Sequence, residues 1–313
     1  MVSNQILTTK NLTKHFSKFV ALENLSLDIQ KNSCVGFLGP NGAGKTTTLK
    51  ILTGLLKPTS GQAFINGFDV TKNFREAMSR VGAVIETPEF YPSFSPEDVL
   101  SYFGKLRGLP QKELKKRIRE VLEEVHMKEW SNKRIGKFSK GMKQRTAIAS
   151  VLLHEPELVL LDEPVSGLDP QGMMEVREII KSMKDQGKTV FMSSHLLAET
   201  QAICDKVALI DKGKLLGVKS VNDLSAQTKS KIKIEFLESV SDYQLDEIKQ
   251  FEKVIEISKE KPNTFIIEFV GDKSKRAQFL KFLQEKNLNI VSFALADSNL
   301  ETLYKDLISD SVR

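Results

Sequence analysis

The sequence predicts an α/β protein with a parallel sheet and a helical subdomain, followed by a small α+β domain. Three observations predict it. The run 39–47, GPNGAGKTT, fits the phosphate-loop pattern G-x-x-x-x-G-K-[ST] and falls between a strand-like and a helix-like segment. The run 157–163, ELVLLDE, is a short apolar stretch of strand length that ends abruptly in two acids. Beyond Gly217 the pattern changes to short strands and helices in the order β-α-β-β-α-β.

Taken along the chain, residues 33–38 (SCVGFL) read as a buried strand and residues 47–52 (TTLKIL) as a helix. Between them, Gly39, Pro40, Asn41, Gly42, Ala43 and Gly44 let the backbone curl so that successive N–H groups face an anion. Lys45 then reaches the β- and γ-phosphates, the Thr46 hydroxyl is a ligand for the Mg²⁺ that bridges them, and Thr47 starts the apolar helix face. Residues 81–86 (VGAVIE) form the next strand, and residues 87–94 (TPEFYPSF) form a proline-marked loop with three aromatics. Residues 96–154 are almost wholly helix-periodic and constitute the helical subdomain, in which residues 112–125 have one apolar face and one solvated, mixed-charge face. In the strand 157–163, Asp162 holds the Mg²⁺ and Glu163 orients and polarises the attacking water. A last buried strand, residues 189–192 (TVFM), leads to Ser193, Ser194 and His195, whose imidazole can contact the γ-phosphate and that water.

Read in order, the phosphate loop, the run 138–145 (FSKGMKQR), LLDEP, SGLDP and SSH resemble the ATP-binding subunit of an ABC transporter, within the phosphate-loop NTPase fold. The resemblance covers roughly residues 7–218. Its most diagnostic part is the run 138–145, which is similar to the LSGGQ-type signature and opens a helical stretch at 142–153. The resemblance implies that Ser139, Gly141 and backbone N–H groups of one subunit meet the γ-phosphate of ATP held by the phosphate loop of another. It places Phe16 on the adenine ring, where stacking needs a ring face and no hydroxyl, and Asp169 in a loop that communicates between the two sites of a dimer. A lone phenylalanine would otherwise read as core packing.

Three positions bear on how far the chain departs from the family pattern. Lys140 and Met142 stand where Gly and Gln are usual; either the Lys140 side chain points away from the nucleotide, which is the favoured reading, or it adds charge near the phosphates. Glu86 stands where Gln is usual, and is expected to keep an Mg²⁺-sensing role with a full charge in place of a neutral carbonyl oxygen. Glu86 together with GMKQR resembles the branch of bacitracin- and lantibiotic-type exporters.

At 313 residues the chain can bury one large core and one smaller one, and 40% apolar content is that of an ordinary soluble protein. No apolar run approaches the ~18 residues needed to cross a bilayer, so transport requires a separate integral membrane permease. Residues 1–5 show no charged start followed by an apolar block, so no secretory signal is expected. The two cysteines, Cys34 and Cys204, read as core packing in a reduced cytoplasmic setting. The net charge of +6 is dispersed among acids, so no nucleic-acid partner is expected, although it suits the inner face of a cell membrane. The expected organisation is an ATPase domain over 1–219, a linker over 220–231 and an accessory ferredoxin-like domain over 232–313, with 300–308 as a closing helix. The accessory domain lacks His and Cys, so dimer contact or regulation suits it better than catalysis.

The combined expectation is a cytoplasmic, Mg²⁺-dependent ATPase subunit that forms a homodimer or a heterodimer with a similar subunit around two ATP molecules and drives export. Two rivals remain. A soluble ABC ATPase acting on ribosomes or DNA would typically carry two cassettes or a long coiled-coil insertion, and this chain has neither. An ATP-gated regulator would fit Lys140 and Glu86, but Glu163 and His195 argue for turnover.

Overall fold

The computed structural model describes residues 4–221, 229–271, 273–286 and 288–296. The chain divides into two compact units, one up to Val218 and one from Lys219.

The first unit carries two sheets. Strands β1 (Gln5–Phe16), β2 (Phe19–Gln30), β4 (Ser60–Ile65) and β5 (Phe68–Asp69) form an antiparallel sheet in the order β2-β1-β4-β5. Strands β3 (Cys34–Leu38), β6 (Val81–Val84), β7 (Leu158–Leu161), β8 (Thr189–Ser194), β9 (Lys206–Asp211) and β10 (Lys214–Ser220) form the second, in the order β10-β9-β3-β8-β7-β6. Every residue of β3, β7 and β8 is buried, which is why these strands read as unbroken apolar runs. One apolar core joins both sheets to helix α1 (Lys45–Leu52) through Ile6, Leu22, Phe37, Leu49, Ile65 and Phe191.

Parallel register aligns Leu38 with Ser194, Leu161 with Met192 and Val84 with Leu161. The carboxyl ends of β3, β6, β7 and β8 therefore lie along one edge, where open α/β sheets bind their ligands. The phosphate loop, Glu86, the Asp162–Glu163 pair and His195 all leave the sheet at that edge.

Short α2 (Phe74–Met78) precedes β6, and the helical part follows it: α3 (Pro96–Leu106), α4 (Gln111–Glu124) and α5 (Lys140–Leu152). Ser95 starts α3 with a capping box, accepting from the Asp98 N–H while Asp98 accepts from the Ser95 N–H, and Pro96 takes the first helical position. Helix α4 buries Leu114, Ile118, Val121 and Leu122 and leaves most of its charges to solvent, while Arg117 turns inward to pair with Glu120 and Glu124 and donate to Leu152 O. Helix periodicity overstates the region after α4. Residues 125–139 run through two 3₁₀ turns, Lys128–Trp130 and Ile135–Lys137, because Arg145 donates to the His126 carbonyl and the Ile135 N–H donates to Phe94 O, pinning an irregular path. Helices α6 (Pro170–Asp185) and α7 (Leu197–Ile203) flank β8. Cys34 and Cys204 are buried with free thiols, their sulfurs 3.5 Å apart.

The second unit contains β11 (Lys229–Phe236), α8 (Asp242–Lys249), β12 (Val254–Lys261), β13 (Thr264–Val270), α9 (Lys273–Glu285) and β14 (Ile290–Ala296). Its sheet order is β12-β13-β11-β14, fully antiparallel, the ferredoxin-like arrangement. Ile232, Ile234, Phe265, Ile267 and Phe269 face Ile248, Phe279 and Leu283 of the helices. The expected linker 220–231 is shortened at both ends. Ser220 belongs to β10, and residues 229–231 belong to β11, where Lys229 pairs with Val270 and Lys231 with Glu268. Lys231 sits at an outward position of a strand whose Ile232 and Ile234 are buried, so its polarity hid the strand's start. The expected helix 300–308 lies outside the described residues.

Candidate active site

The phosphate loop folds as its glycines require. Gly44 has φ +105, and a Cβ there would come within 2.6 Å of the Ala21 carbonyl; a Cβ on Gly39 would come within 2.4 Å of Ile210 O. The Gly39 N–H donates to Ser194 O, tying the loop to the end of β8, and the Gly213 N–H donates to Ala43 O. Helix α1 begins at Lys45 with Gly44 as its N-cap and no side chain capping it, so its first N–H groups are left for an anion. Lys45 is 6% exposed. Its ammonium donates to Gly39 O at 2.7 Å and Pro40 O at 3.1 Å and lies 3.3 Å from Glu163 Oε1.

The two acids after β7 are held by one hydroxyl. Ser193 is fully buried at the end of β8; its Oγ donates to Asp162 Oδ1 at 2.6 Å and accepts the Glu163 N–H at 2.8 Å. Glu163 adopts φ +46, a conformation unusual for a residue with a side chain, and this turns its carboxylate back toward the phosphate loop. Its Oε2 lies 2.8 Å from His195 Nδ1. An ionised carboxylate only accepts, so the proton of this bond is on Nδ1.

These groups border a cleft of about 510 Å³ lined by Phe19, Ala21, Asn41, Gly42, Gly44, Lys45, Thr46, Thr47, Glu163, Ser166 and His195. The structure thus brings together most of the residues named from the sequence. Gly39 and Pro40 join through their carbonyls on Lys45, and Asp162 through Ser193.

Other named residues lie apart from the cleft. Phe16 ends β1 directly across the hairpin from Phe19, with Lys14 Nζ 5.0 Å from its ring centre, and it is Phe19 that lines the cleft. Directly opposed residues share a sheet face, so the two rings stand on the same side. Ser139 caps α5, accepting from the Met142 N–H, and Gly141 packs where a Cβ would sit 3.3 Å from Gly172 Cα of α6. Arg145, also on α5, pairs with Glu175 of α6 at 3.0 Å; burial pushes its guanidinium down from the usual value, with Glu175 and Asp169 opposing. Lys140 donates to Ser166 O of its own chain. Glu86, at φ +65, places Oε1 2.5 Å from Lys50 Nζ of α1.

Ser193 and Phe19 escaped the sequence reading as functional groups. Ser193 left a signal, because a buried hydroxyl at a strand end needs partners and the nearest unsatisfied acceptors in such a sheet are the acids of the neighbouring strand. Phe19 left none, since nothing in a hairpin of two phenylalanines says which ring meets the cleft.

Residues 22–166 match the family described as ABC transporter. The chain is similar to the bacitracin transport ATP-binding protein BcrA of Bacillus licheniformis, 36% identical over 316 aligned residues that cover 97% of each. It is also similar to the linearmycin resistance ATP-binding protein LnrL of Bacillus subtilis, 30% identical over 98% of this chain and 100% of the relative. Among solved structures, cbiO1 from Clostridium perfringens, described as part of the ABC transporter complex cbiONQ, superposes with a TM-score of 0.64 at 28% identity, covering 71% of this chain and 91% of that one. Because the likeness to BcrA and LnrL extends through both compact units and is not confined to the phosphate-loop part, the chain belongs to the ABC transporter family as an ATP-binding, ATP-hydrolysing subunit.

Proposed function

We propose that two such subunits, identical or similar, close around two ATP molecules and drive a separate membrane permease in export. The observation that carries this reading is a division of labour within the described residues. The cleft holds the phosphate loop, Glu163 and His195 but no residue of the run 138–145, while Ser139 stands exposed at the N-terminus of α5. A second copy would supply Ser139 and the first N–H groups of α5 to the γ-phosphate across the interface.

Within one cleft, the loop N–H groups and Lys45 bind the triphosphate, and Phe19 with its neighbour Phe16 offers a ring face to adenine. The oxygen donors suit a hard divalent cation. The Thr46 hydroxyl lines the cleft and Asp162, 7% exposed, is fixed by Ser193, while among the described residues no three His, Cys, Asp or Glu gather to hold an ion alone. Phosphate oxygens and water would complete an Mg²⁺ shell on Thr46 and Asp162. When bound, Mg²⁺ neutralises charge on the phosphates. Glu163 orients the attacking water and accepts its proton, and His195 holds the Glu163 carboxylate in place through Nδ1. Glu86 is engaged by Lys50, so a role toward Mg²⁺ requires that pair to open.

Among the described residues no helix is long and apolar enough to cross a membrane. A permease in another chain is therefore part of this reading, with the subunit at the cytoplasmic face of the membrane. Tyr91, Phe94, Tyr102, Phe103 and Leu106, on the loop after β6 and on α3, are exposed large apolar side chains that suit a cytoplasmic helix of such a permease. The likeness to a bacitracin transport and a linearmycin resistance ATP-binding protein supports export as the direction. The test is ATP hydrolysis by the purified chain alone and with a candidate permease in lipid vesicles. Stimulation by the permease that Lys45→Ala abolishes is expected, and tight ATP binding without turnover in either setting would favour a regulator.

A further inference from the structure

Lys140 is a departure from the signature the chain resembles, and its side chain has a definite destination. Its ammonium donates to the Ser166 carbonyl at 2.8 Å. Next to that carbonyl, Gly167 has φ +66, and a Cβ on it would come within 2.7 Å of Lys140 Nζ. The loop leaves open the space that the ammonium fills. Ser166 in turn lines the phosphate cleft, and its N–H donates to Glu163 O at 3.1 Å. The Glu163 side chain meets Lys45 and His195. A continuous series of polar contacts thus runs from the phosphate loop, through Glu163 and the turn 163–166, to the first residue of α5.

We infer that Lys140 is a positioning residue that links the signature of a chain to the hydrolytic carboxylate of the same chain. By holding Ser166 O, it makes the turn after Glu163 move with the start of α5. Engagement of the signature by the partner's nucleotide is then felt at this chain's own Glu163. The inference rests on the composite two-chain site proposed above. Lys140 is aimed along its own chain, so it acts on turnover and not as a second phosphate-binding lysine.

The experiment uses the full chain as wild type, Lys140→Met, Lys140→Arg and Gly167→Ala. Lys140→Met keeps most of the stem and removes the donor, Lys140→Arg keeps a donor, and Gly167→Ala puts a methyl where the ammonium lies. Steady-state ATP hydrolysis is measured against ATP and protein concentration, and ATP affinity is measured with a fluorescent ATP analogue. Losing a charge-assisted hydrogen bond predicts a kcat lower by about tenfold in Lys140→Met, with unchanged affinity. Gly167→Ala should behave likewise, and Lys140→Arg should recover most of the rate. A Lys140→Met protein with wild-type kcat would overturn the inference, as would one that loses affinity and keeps kcat, since that pattern belongs to a phosphate contact. A wild-type chain that stays monomeric at saturating ATP and still hydrolyses it would instead overturn the composite site itself, and the inference with it, whatever the variants do.

Discussion

At the scale of single residues, the proposed chemistry rests on how Glu163 is held. A carboxylate that binds neither phosphate nor adenine can be neutralised without loss of binding, so Glu163→Gln should keep ATP affinity and lower kcat by about 10²- to 10⁴-fold in steady-state assays. Ser193→Ala should lower kcat by about tenfold with a smaller change in affinity, because Asp162 and Glu163 lose their shared anchor together. Equal losses in kcat and affinity would instead mark Ser193 as a fold residue. The phosphate loop, Glu163 and His195 were legible in the sequence because each chemistry needs a fixed residue type at a strand end. Ser193's role was not, since its partners lie on a strand 30 residues away and only the parallel register brings them together. His154 yields a prediction on stability. Burial, and then nearby Arg107, hold its imidazole below the usual value, and the bond to Val81 O opposes this only in part. The unfolded chain takes up a proton near its ordinary pKa of about 6.5 while the folded chain stays neutral, so the contribution is complete above that pH and is lost as pH falls toward the lowered folded value. Thermal melts of His154→Gln should therefore decline less than wild type between pH 7 and 5; parallel curves would contradict the assignment.

At the scale of elements, strong periodicity and punctuation decided what could be read. Buried strands β3, β7 and β8 and the amphipathic helix α4 announce themselves by apolar runs or a clean face. The antiparallel sheet did not, although β1 and β2 each run for twelve residues. Their pairing breaks register between Thr9 and Leu12 and again between Leu12 and Lys14, so inward and outward positions do not alternate over any long window of β1, although β2 alternates from Asn24 to Gln30. The start of α3 is the opposite case, since Ser95, Pro96 and Asp98 occupy the positions that capping chemistry demands. Ser95→Ala should cost about 1 kcal/mol in urea unfolding, and no measurable loss would mean that packing alone holds the helix end.

At the scale of the whole molecule, two compact units and a single phosphate loop define what one chain can do. The boundary near Val218 was visible because the family pattern fades where a new alternation begins, and the β-α-β-β-α-β order beyond it pointed to the ferredoxin-like pairing that the sheet adopts. One chain contributes a phosphate cleft and a signature that does not line it, so turnover by a pair is the property that sets the proposed motor apart from a lone nucleotide-binding module. Specific activity should accordingly rise with protein concentration. The most direct measurement is sedimentation velocity on the Glu163→Gln chain with and without Mg-ATP, because slow turnover traps whatever assembly ATP creates. A shift from monomer to dimer that requires Mg-ATP and disappears in the Lys45→Ala, Glu163→Gln double variant is the predicted result. A chain that stays monomeric at saturating ATP, with nucleotide demonstrably bound, would contradict the composite site.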